Sequence, residues 1–141
     1  MNISHLHPLT VHFPVSLIIV GFFLEILSLY YKKENAFSKA SLYLMILGTL
    51  GAVVAVVTGD FFTEELKGAA HDVQENHELF ANLTMYTMLA ATLFRLFLIW
   101  KKKENTSLRW IYFSLFAVGV MFVGYAGYLG GTLVYNYMIH P

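Results

Sequence analysis

Cysteine is absent from this 141-residue chain. Without thiols there are no disulfides, no thiolate metal ligands, no c-type haem attachment and no cysteine-ligated iron–sulfur cluster. Charge is scarce as well: Asp, Glu, Lys and Arg make up 13% of the residues, against about 25% in an ordinary soluble domain. The formal net charge is +0, so nothing marks a nucleic-acid surface. Met1 to Thr10 contains no Lys or Arg. The basic n-region of a cleaved signal peptide is therefore missing, and the first apolar run reads as a retained span. No nucleophile is paired with a base, and the chain does not read as an enzyme.

What is present is apolar and arranged in blocks. Hydrophobic residues make up 57% and the mean hydropathy is +0.60. Four runs are long enough to cross a hydrocarbon core of about 30 Å at ~1.5 Å per residue. They cover residues 9–31, 38–58, 73–100 and 108–135. Ser38 is an N-cap candidate for the second, and Gly59 with Asp60 closes it. Asp72 and Glu75 have capping-box spacing, which starts the third near Val73. Residues 1–141 thus read as a single integral membrane domain in a lipid bilayer.

Basic loops stay cytoplasmic. Lys32, Lys33 and Lys39 fill one connection, and Lys101, Lys102, Lys103 and Arg109 fill another. The 59–72 connection holds Lys67 alone. The expected fold is all-α, a four-transmembrane-helix bundle running up-down-up-down, with both termini and the 59–72 connection outside. Trp100, Trp110, Tyr30 and Tyr31 then fall at the inner interface, where aromatic belts belong.

Threaded this way, all six histidines gather at the outer ends of the spans. His5, His7 and His12 open the chain, His71 and His77 flank the start of the third span, and His140 ends the chain. His12 and His77 enter the bilayer at similar depth, where an imidazole is costly unless bonded or ligated. Two imidazoles on helices that face each other across a bundle can ligate one b-type haem axially. His71 reads as a loop residue. Pro8 and Pro14 are tolerable in a first helical turn, which has no internal N–H partners to lose.

Three further features bear on this. Gly119, Gly124, Gly127, Gly130 and Gly131 lie in the fourth span, and Gly127 to Gly131 has G-x-x-x-G spacing. Such residues allow close helix packing or leave room for a flat ring. Asp60 lies near the histidine layer, as an orienting partner for an imidazole N–H or simply a helix-end residue. Glu25 and Arg95 both lie about 10 Å inside the inner interface, where an ion pair between the first and third spans offsets the cost of two buried charges.

The run His7-Pro8-Leu9-Thr10-Val11-His12-Phe13-Pro14 opens the chain, and Gly130-Gly131-Thr132-Leu133-Val134-Tyr135 nears its end. With Thr58-Gly59-Asp60 and His77 between them, these residues resemble a family of bacterial membrane domains designated domain of unknown function 2231. The resemblance covers essentially the whole chain and implies a multi-pass protein of the bacterial inner membrane. Family members often carry a histidine shortly after the final tyrosine; here Tyr137 and then His140 occupy that region.

The leading functional expectation is a small membrane cytochrome or a haem-bearing subunit of a respiratory assembly. One haem b would sit near the outer face on His12 and His77, beside Gly127 and Gly131. Quinol or another outer-face carrier is the expected redox partner, and a homodimer or larger membrane complex the expected setting. The alternatives are a Zn or Cu site built from the same cluster (His5, His7, His12, His71, His77 with Asp60 or Glu78), or a structural membrane subunit with no cofactor.

Overall fold

Hydrocarbon offers no partners to backbone N–H and C=O groups, so each apolar run closes its own hydrogen bonds as a helix. A computed structural model describes residues 6–62 and 64–138. Its elements are α1 (Leu6–Tyr30), α2 (Asn35–Phe62), α3 (Ala69–Trp100) and α4 (Arg109–Thr132), the last continued by a π-helical turn at Leu133–Met138. There is no strand among the described residues. All four helices are long and apolar enough to cross a membrane.

Helix α1 packs chiefly on α2, and α3 on α4. The two hairpins join through α2 with α3 and α1 with α4, leaving α1 and α3 on a diagonal. The core is built from Ile18, Met45, Ala52, Met88, Ala91, Phe116 and Val123. On α1 and α2 the approach is close because glycine permits it. A Cβ at Gly48 would lie 2.8 Å from Ile18 Cγ1 and 3.3 Å from the Ile18 backbone nitrogen.

Several helix ends differ from the sequence expectation. Helix α2 starts at Asn35 rather than Ser38 and passes through Gly59 and Asp60 to Phe62. Two apolar residues beyond Asp60 favour continuation over a stop. Helix α3 starts at Ala69, one turn before the Asp72–Glu75 box. Its N-cap is Gly68, whose φ of 69° suits a residue without a side chain. Asp72 therefore lies inside the helix, where its carbonyl accepts from Asn76 Nδ2 at 2.9 Å. His71 is likewise helical, not a loop residue. Because α1 already begins at Leu6, Pro14 is in the helix interior. Its ring fills the space above Gly51 of α2, where a Cβ would meet it at 3.1 Å.

Candidate functional site

His77 lies on the inward stripe of α3 that continues through Thr84, Met88, Ala91 and Arg95. Its half-buried ring crosses to α4, where Nδ1 meets the carbonyl oxygen of Ala126 at 2.8 Å. A carbonyl can only accept, so Nδ1 is the donor, and the neutral tautomer with that bond has its lone pair on Nε2. Gly130 makes room for the ring: a Cβ there would sit 3.2 Å from His77 Cε1. One face further round α4, a Cβ at Gly124, Gly127 or Gly131 meets nothing within 4 Å. Phe80 of α3 stacks edge-on with Tyr125 of α4 at 4.5 Å between centroids, walling this end of the hairpin with aromatic rings.

His12 occupies a different surface. It is exposed, whereas Pro14 and Ile18 face inward. Two residues back from Pro14 is about 200° round the helix, which turns the imidazole away from α2. The fold thus does not give His12 and His77 a common face. His71 and Asp60 are exposed and line one cavity of about 520 Å³ together with Glu75, Glu78 and the buried Gln74. Gln74 fastens the α2–α3 connection: its Oε1 accepts from Leu66 N at 2.8 Å and its Nε2 donates to Glu64 O at 3.2 Å. Among the described residues no group of three or more His, Asp or Glu side chains converges as a metal site. His5, His140 and the side chain of His7 lie outside the described residues.

The opposite end of the bundle is organised by charge. Arg95 Nη1 meets Glu25 Oε2 at 2.9 Å, and both side chains are fully buried. The pair is the centre of a larger network. Arg109 Nη2 donates to Glu25 Oε1 at 2.8 Å and to Ser28 Oγ at 2.7 Å. Tyr112 donates its hydroxyl to the same carboxylate oxygen at 3.0 Å. Arg95 Nη2 donates to Ser38 Oγ and to the Ser38 carbonyl, each at 3.0 Å, and its Nε donates to Glu104 at 3.2 Å. Arg95 also lies over the Tyr112 ring, 5.0 Å from its centroid. Sequence reasoning places Arg109 in a basic loop, but the structure makes it the first residue of α4 with its guanidinium turned inward. The signal was available as a cluster of small hydroxyls (Ser28, Ser38, Ser41) at the depth of Glu25 and Arg95.

No curated protein and no solved structure matches this chain. One family model, described as a predicted membrane protein, DUF2231, matches residues 4–141. Four helices able to span a bilayer agree with that description, and the chain belongs to the DUF2231 family of membrane proteins.

Proposed function

We propose that this membrane protein is an electron-transfer subunit that binds one b-type haem at its histidine-bearing end, where His77 would hold it. The observation that carries the reading is the Nδ1 contact to Ala126 O at 2.8 Å. It orients the ring and, in the neutral tautomer, leaves the Nε2 lone pair for ligation, the arrangement found behind most metal-bound histidines. The open face at Gly127 and Gly131 leaves space for a planar ring beside α4. Bound there, haem supplies a one-electron couple. The protein's part is to hold the imidazole, wall the site with Phe80 and Tyr125, and keep it in an apolar setting that influences the potential.

His12 is exposed on α1. It reaches a haem on His77 only across an interface with a second copy, so two-histidine ligation belongs to a homodimer or a larger assembly. The test is an absorption spectrum of protein purified after haem-replete expression, oxidised and then dithionite-reduced, with metal analysis. A Soret band and a reduced alpha band support the haem reading. A colourless protein with stoichiometric Zn or Cu moves function to the metal reading, and a colourless metal-free protein to a structural subunit.

A further inference from the structure

The Lys-rich end of the bundle holds a cavity of about 580 Å³ between the α1–α2 and α3–α4 connections. Lys32, Lys39 and Arg109 line it from three separate segments. Its other walls include Ser28, Ser38 and Glu104, and these are held from below. Fully buried Arg95 bonds Ser38 and Glu104, while Arg109 bonds Ser28. The buried network is thus the floor of the cavity and fixes its shape.

The charge of this cavity is incompletely balanced from within. Glu25 and Glu104 are engaged by Arg95 and Arg109. That leaves Lys32 and Lys39 against the single carboxylate of Glu34. Arg109 Nε is buried and has no hydrogen-bond partner among the described residues. Helices α2 and α4 both begin here, and neither has an acidic residue in its first turn. Helix N-termini carry partial positive charge, and at the start of α4 the chain adds the cation Arg109. Hydroxyls and cations thus converge on a shared space.

We propose that this cavity binds a phosphate-type anion, supplied either by a lipid headgroup or by a free phosphate. Its position at the ends of the spans suits a headgroup, since basic pockets between membrane helices take anionic lipids. A phosphate oxygen would accept from Lys32 and Lys39, with Arg109 lining the same cavity. This assignment is independent of the haem reading.

The test uses the full chain in neutral detergent and follows its thermal midpoint. The probes are inorganic phosphate, short-chain phosphatidylglycerol, short-chain phosphatidylcholine, and sodium chloride at matched ionic strength. A saturable rise with phosphatidylglycerol, phosphate or both, above the chloride and phosphatidylcholine controls, is the expected result. A rise with phosphatidylglycerol alone assigns the site to a headgroup, and a rise with phosphate to a free anion. Lys32→Gln and Lys39→Gln alter exposed side chains, and each should raise the half-saturating concentration about fivefold. Lys67→Gln, on the connection at the opposite end, should not. No rise beyond chloride, equal rises with phosphatidylcholine, or a rise unchanged in the double lysine variant overturns the proposal.

Discussion

Glu25 of α1 and Arg95 of α3 meet at 2.9 Å in the buried interior, joining two helices that lie diagonally across the bundle. The carboxylate serves two guanidiniums, because Arg109 of α4 reaches it as well at 2.8 Å. One acidic residue therefore ties three helices together.

That sharing makes the two single substitutions unequal. Glu25→Gln takes the shared carboxylate charge from both arginines, leaving Arg109 without an acidic partner and Arg95 with Glu104 alone, and should cost on the order of 3–5 kcal/mol, as for a broken buried pair. Arg95→Met leaves Glu25 with Arg109, Ser28-bound at 2.7 Å, and with the Tyr112 hydroxyl, so its cost should be smaller. The double variant should lose less than the sum of the two. Denaturation in detergent gives the cycle, and additive losses would show that the residues do not act as partners.

Glycines on the two faces of the bundle should respond in opposite ways. Gly48→Ala drives a methyl against the backbone of Ile18, 3.3 Å away, and against its side chain at 2.8 Å. Overpacking of that kind costs typically about 1–3 kcal/mol. Gly124→Ala meets nothing within 4 Å and should leave the thermal midpoint unchanged or slightly higher. Equal losses at the two positions would contradict the α1–α2 packing described here.

Topology is a separate expectation, resting on the Lys/Arg bias of the connections. Cysteine introduced at Glu65 should react with an impermeant thiol reagent in intact cells, and cysteine at Asn105 should not. The reverse pattern would place the histidine-bearing end in the cytoplasm.

Much of the fold was legible because length and hydropathy alone define a span. The depth of Glu25 and Arg95 followed from counting back from Lys32 and Lys101. Direction around the helix axis was not legible. A helix apolar on every side carries little of the periodicity that marks an inward face, so His12 and His77 were matched by depth while their faces stayed hidden. Helix ends were misread where a local cue competed with a longer apolar run. Gly59 and Asp60 gave way to Phe61 and Phe62, and the Asp72 box gave way to Gly68, whose φ of 69° starts α3 a turn earlier. Arg109 was hidden by its neighbours, since a cation beside three lysines reads as part of a cytoplasmic loop.

The haem assignment rests on His77 more than on any other residue, and its spectrum tests it most directly. The wild-type protein, His77→Ala, His71→Ala and His12→Ala are to be compared as dithionite-reduced minus oxidised difference spectra after haem-replete expression. The account predicts a reduced alpha band in wild type that His77→Ala abolishes and His71→Ala retains. For His12→Ala it predicts a retained haem, with a change from low-spin to high-spin bands only in a preparation that is oligomeric. A wild-type protein without haem, or a His77→Ala variant with an unaltered spectrum, contradicts it.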